Sequence, residues 1–125
     1  MAQEHKHLII RAEVNLPPID PVWTSNWLAQ IVKNINMKIL MGPYSIYCDV
    51  PGNRGLTAAV IIETSHIVLH SWDEDEVAEI QFDVYTCSSL DPQAIIDSLD
   101  IFEPVKIEYK YLNRDKGLVE VEISN

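Results

Sequence analysis

The same succession of signals occurs twice along this chain, and that repeat limits the possible folds more than any other feature. Residues 7–14 read as a strand that stops at Pro17-Pro18. Asp20 then stands where a helix cap belongs and Pro21 suits the first helical position. Trp23, Trp27, Ile31 and Ile35 recur every four residues behind them, with Leu28 and Val32 widening the apolar stripe. Strand signals follow over 37–41 and 44–48, interrupted by Gly42-Pro43, and over 56–64 beyond a Pro/Gly loop at 50–55. The second half repeats the order. Residues 80–87 form a strand, Ser89 or Asp91 caps a short helix over 92–102, and 105–112 alternates as a strand. A turn at 113–117 leads to a last alternating strand at 118–123.

A duplicated strand-helix-strand-strand unit predicts an α+β fold, a two-layer sandwich with a mostly antiparallel sheet and both helices on one face. At 125 residues, 47% of them apolar, the chain suits one domain spanning 1–125. The continuous run Leu8-Ile9-Ile10 suggests that the first strand is buried on both faces. A sheet with helices on one side only leaves its other face in need of cover, so a homodimer is expected.

A net charge of -10 and a pI near 4.6 argue against nucleic acid or an anionic membrane as partner. Cys48 and Cys87 are too few for a disulfide framework or a four-cysteine metal site. The N-terminal run carries no signal-peptide pattern and no apolar run is long enough to span a bilayer, so a reducing cytoplasm is the expected setting. The acidic run at 73–76 reads first as a solvated loop and secondly as a contact for a cationic substrate.

The residues with chemical potential concentrate in 57–87, where a Ser-His pair, a second histidine and a cysteine stand among short apolar runs that read as three strands, 57–62, 67–69 and 80–85. Strand alternation places His66, Val68 and His70 on one face and turns Ser65 to the other. Taken singly these residues are unremarkable: a serine at a turn, a half-buried histidine, a small buried thiol.

Together they carry a resemblance. Residues 63–72, Glu-Thr-Ser-His-Ile-Val-Leu-His-Ser-Trp, followed by Phe-Asp-Val-Tyr-Thr-Cys at 82–87, resemble the bacterial and archaeal S-adenosylmethionine decarboxylases, whose signature runs ESHxxxHTWPE and then DVFTC. The opening His7-Leu-Ile-Ile and the internal duplication are similar as well. The resemblance implies a proenzyme that cleaves itself between Thr64 and Ser65 into 1–64 and 65–125, leaving a covalent pyruvoyl group derived from Ser65 and requiring no metal. The pyruvoyl ketone condenses with a substrate amine and accepts the electrons released as carbon dioxide departs. His70 matches the histidine that takes a proton during processing, Cys87 the acid that returns one to the product, and Thr57 the hydroxyl that supports processing. Decarboxylated S-adenosylmethionine would supply aminopropyl groups for polyamine synthesis, spermidine among them.

The chain departs from the family pattern at three places. Thr64 replaces the glutamate before the nucleophile, with Glu63 displaced by one. Trp72-Asp-Glu replaces WPE, and the segment up to Cys87 is two residues longer. The loop HxFxPxG, whose aromatic stacks on adenine, is here Tyr-Cys-Asp-Val-Pro-Gly-Asn-Arg-Gly at 47–55, with Tyr44 and Tyr47 the nearest aromatics. Glu63, Tyr47 and Asp49 are therefore the candidate substrate contacts. Two further readings stay open: the same chemistry on a basic amino acid such as arginine or ornithine, and a non-processing homologue that binds or regulates.

Overall fold

The computed structural model describes residues 4–123; the ends of the predicted domain, 1–3 and 124–125, lie outside the described residues. The elements run β1 (Lys6–Val14), α1 (Pro21–Asn34), β2 (Ile39–Cys48), β3 (Gly55–Ile62), β4 (Ser65–Trp72), β5 (Ala78–Thr86), α2 (Pro92–Asp97) continued by a 3-10 turn (Ser98–Phe102), β6 (Pro104–Asn113) and β7 (Val119–Glu120). All strands join one sheet in the order β2-β3-β4-β5-β1-β6-β7, antiparallel throughout. The α+β sandwich is as expected. The short strand expected at 67–69 runs over the full length of 65–72 and lies between the two repeats, so the sheet has seven strands, six from the repeats and one joining them.

Local chemistry explains the helices. The Asp20 carboxylate accepts from the N–H groups of Val22 (2.9 Å) and Trp23 (3.3 Å), and Pro21 starts α1 without a donor to waste. The buried face of α1 is Thr24, Leu28, Ile31 and Val32, so the stripe is centred on Leu28. The two tryptophans lie along its edge. Trp27 packs on Phe82 and Phe102 at 5.6 and 5.0 Å between ring centroids, and Trp23 stacks on Trp27 at 6.2 Å. Asp91, not Ser89, caps α2, accepting from Gln93 and Ala94. Its helical run tightens to 3-10 geometry after Asp97 and ends at Glu103, in the left-handed region before Pro104.

The core lies between the helices and one face of the sheet. Leu8, Ile10, Ala12 and Val14 of β1, Leu56, Ala58, Val60 and Ile62 of β3, Ile67 and Leu69 of β4, and Ile80, Phe82 and Val84 of β5 all point there. Ile9 corrects the reading of β1 as doubly buried: it is 42% exposed, because no layer covers the other sheet face in the single chain. That open face is mixed. Ile9 and Ile61 share it with Arg11, which bridges Glu13 (2.8 Å) and Glu79 (2.7 Å), and the hydrogen bond from Arg11 holds the Glu13 carboxyl below its ordinary range.

The predicted last strand shrinks to two residues, since Leu118, Val119 and Val121 have little to bury against and stay exposed at the sheet edge. Among the described residues no helix is long and apolar enough to cross a membrane. Both cysteines are free.

Candidate active site

The β3–β4 hairpin creates the first half of the site. Ile62 pairs with Ser65, so Glu63 and Thr64 form a two-residue turn, and Thr64 takes a φ of 50°, a left-handed conformation rare for a β-branched side chain. Ser65 is thus the first residue of β4. Its side chain turns toward the helix layer and is 7% exposed, while His66 points to the open face, as alternation predicts. Cys87, just beyond β5, donates its backbone N–H to Ser65 Oγ at 2.9 Å. The Cys87 thiol donates to the Glu63 carbonyl (3.3 Å), and the Thr64 hydroxyl, whose one proton can go to Cys87 Sγ or to the same carbonyl (2.8 Å), lies against it. Ser65, Thr64, Glu63 and Cys87 are therefore one cluster, beside a cavity of about 360 Å³ that Lys38, Glu63, Thr64 and Cys87 help to line.

A second cluster gathers at the other end of β4. Thr57 pairs with His70 across β3 and β4, and Thr57 Oγ1 lies 3.0 Å from His70 Nδ1 on the open face. His70 follows Ser65 by five residues, about 16 Å along a strand, and faces the opposite way. Within one chain His70 does not reach Ser65. Tyr47 and Asp49 belong to this second end as well. The Tyr47 hydroxyl donates to the Asp73 carboxylate at 2.9 Å, which, with burial, pushes the phenol above its ordinary range. Asp49 is paired with Arg54 Nε at 2.8 Å. Of the three candidate substrate contacts only Glu63 stands beside Ser65. The acidic loop at 73–76 is not merely solvated: besides Asp73, Glu74 accepts the Arg54 N–H at 2.9 Å. Beside it Trp72, Glu13, Glu74, Asp75 and Glu79, together with Arg11 and Arg54, border an open cavity of about 590 Å³.

One group escaped the sequence reading. Asp83 Oδ1 receives His7 Nε2 (2.7 Å) and His66 Nε2 (3.1 Å) on the open face next to the Ser65 turn, three ligand-type atoms lying within 4.8 Å of one another. Arg114 reaches His7 Nδ1 at 3.1 Å, and its guanidinium lies 4.6 Å from the Tyr85 ring centroid. Arginine only donates, so His7 Nδ1 accepts and its Nε2 carries the proton bonded to Asp83. Asp83 sits inside the Phe82-to-Cys87 segment that carried the resemblance, but its meeting with His7 needs β1 to lie beside β5, which spacing along the chain does not reveal.

The model of the S-adenosylmethionine decarboxylase family matches residues 20–115. The chain belongs to that family. Curated relatives named S-adenosylmethionine decarboxylase proenzyme include one from Clostridium botulinum, 42% identical over 67 residues that cover 50% of this chain and 54% of the relative. Another, from Pyrobaculum arsenaticum, is 41% identical over 64 residues covering 50% of each. The chain thus spans about half the length of the curated relatives it matches. The crystal structure of the adenosylmethionine decarboxylase from Aquifex aeolicus superimposes over 100% of this chain and 99% of its own, with a TM-score of 0.66 and 25% identity.

Proposed function

We propose that this chain is a self-processing, pyruvoyl-dependent S-adenosylmethionine decarboxylase of polyamine synthesis. The observation that carries the reading is the cluster at the β3–β4 turn, where Cys87 is within hydrogen-bond contact of both the serine of the family signature and the Glu63 carbonyl, one peptide bond upstream of Thr64–Ser65.

Processing uses the chain's own atoms. Ser65 Oγ attacks the Thr64 carbonyl carbon, the Thr64–Ser65 amide C–N bond breaks, and an ester replaces it. Loss of the Ser65 Cα proton then expels Thr64 as a carboxylate, ending the fragment 1–64. Water hydrolyses the dehydroalanine left on 65–125, releasing ammonia and leaving a pyruvoyl terminus. That group supplies an electrophilic carbonyl and an electron sink. The residues present suit it: position 65 opens a strand just after a turn and keeps the Cys87 N–H as a donor to an oxygen at that place. Cys87 returns a proton to the product carbon.

His70 is the base for the Cα proton, with Nδ1–H donated to Thr57 so that Nε2 is left to accept. Because His70 lies about 16 Å from Ser65 on the opposite face, its partner serine belongs to a second copy of the chain. The open sheet faces pack together in this homodimer, and each site takes Ser65 and Cys87 from one protomer and Thr57 and His70 from the other. Tyr47 and Asp49 then approach the site from the same protomer as His70. Free cysteines suit a reducing cytoplasm.

One observation favours a basic amino acid as the alternative substrate. Tyr47 is tied to Asp73, Asp49 to Arg54, and the 50–55 loop carries no aromatic, whereas the cavity beside it is lined by Trp72 and by four carboxylates against two arginines, Arg11 and Arg54, a net acidic lining. Carbon dioxide release from carboxyl-labelled S-adenosylmethionine, arginine and ornithine separates the two. Release from S-adenosylmethionine alone supports the primary reading, release from arginine or ornithine alone transfers the mechanism to that substrate, and release from none refutes decarboxylation.

A further inference from the structure

Cys87 can serve as a proton donor only if its sulfur faces substrate, yet in the uncleaved chain that sulfur is already held. Its S–H goes to the Glu63 carbonyl at 3.3 Å, the Thr64 hydroxyl lies against it, and the Cys87 N–H is on Ser65 Oγ. Three consecutive residues around the scissile bond therefore occupy both the thiol and the amide of Cys87. Thr64 is fixed in this arrangement from both sides: the Glu63 N–H is bonded to the Lys38 carbonyl at 3.1 Å, and Ser65 is paired into β4. With its backbone held at a φ of 50°, Thr64 keeps a conformation that a free chain end would leave. The 360 Å³ cavity opens on the same side, lined by Thr64 and Cys87 together.

We propose that Thr64 is a positioning residue that masks the Cys87 thiol in the uncleaved chain and gives it up on scission, so that the acid is delivered only with cleavage. The proposal rests on the processing reading above. It concerns the threonine that this chain carries where the signature has glutamate: scission converts Thr64 to a chain end, removes the tie through Ser65, and leaves the left-handed backbone free to relax. The thiol, at the wall of the cavity, is then released from the Thr64 hydroxyl and the Glu63 carbonyl.

The test is alkylation of Cys87 by iodoacetamide, read by peptide mass with Cys48 as the internal reference. Rates are taken on the high-pH plateau, where all sulfurs are ionised and only access and hydrogen bonding matter. The background is Ser65→Ala, which cannot be cleaved. There, Thr64→Val should raise the Cys87 rate about fivefold, the Boltzmann factor of one ordinary net hydrogen bond, and Thr64→Ser should keep the parental rate. Cleaved wild-type protein should exceed the Ser65→Ala rate by at least the same factor. Equal rates for Thr64→Val and Thr64→Ser overturn the proposal, as does a rise shared by Cys48, or an equal rate in cleaved and uncleaved chains. If the wild type never cleaves, the decarboxylase reading fails on that mass alone, while the Thr64 comparison in the Ser65→Ala background still decides the masking.

Discussion

The proposed division of the site between two copies leads to a sharp prediction. Ser65→Ala removes the nucleophile and His70→Ala removes the base, so neither homodimer should cleave. In a mixed dimer one site combines the intact Ser65 of the His70→Ala chain with the intact His70 of the Ser65→Ala chain, and the other site has lost both. Random assortment places about half of all His70→Ala chains in mixed dimers, so about half of them, and none of the Ser65→Ala chains, should split. The structural basis is the span of about 16 Å and the opposite facing of the two side chains, which no rotamer change bridges. The assay is co-expression of the two variants, distinguished by mass, followed by intact-mass measurement of each chain. Cleavage of His70→Ala protein by itself would refute the role of His70. A mixture in which no chain splits, while wild type splits fully, would refute the shared site.

Other perturbations probe the frame that holds the site. Phe82 is 1% exposed and packs on Trp27, so Phe82→Ala should cost about 3–5 kcal/mol in urea unfolding. A Cβ on Gly55 would sit 1.7 Å from the Ser71 carbonyl oxygen, which belongs to the neighbouring backbone, so Gly55→Ala should part β3 from β4 and destabilise by about 3 kcal/mol in the same assay. The Asp73 bond raises the Tyr47 phenol, so its contribution to stability is complete below the free tyrosine range and is lost as pH rises through the folded-state value. Asp73→Asn should move the Tyr47 ionisation back down, read by ultraviolet difference spectroscopy against Tyr47→Phe.

Local chemistry was legible before the fold. Asp20 and Pro21 announce α1 because a cap and a fixed φ act within one turn, and the alternation of Ser65, His66 and His70 follows from strand geometry alone. The five-residue gap from Ser65 to His70 already contained the distance that keeps the two side chains apart within one chain. What the chain order hides is pairing across distance. Ile9 is exposed since the helices cover one face only, and the strand expected at 67–69 takes its place between β3 and β5. Asp83 meets His7 because β1 inserts between β5 and β6, and Tyr47 meets Asp73 because β2 and the β4–β5 loop share one end of the sheet. Each of these depends on strand order, which hydrophobic period does not encode.

The central claim is that this chain breaks itself before Ser65, and intact mass of freshly purified protein, beside its Ser65→Ala variant, tests it most directly. The account predicts two fragments, 1–64 and 65–125, the second blocked to amino-terminal sequencing, with Ser65→Ala intact. A single undivided mass near 14.3 kDa after prolonged incubation, identical to the variant apart from the substituted atom, would contradict it.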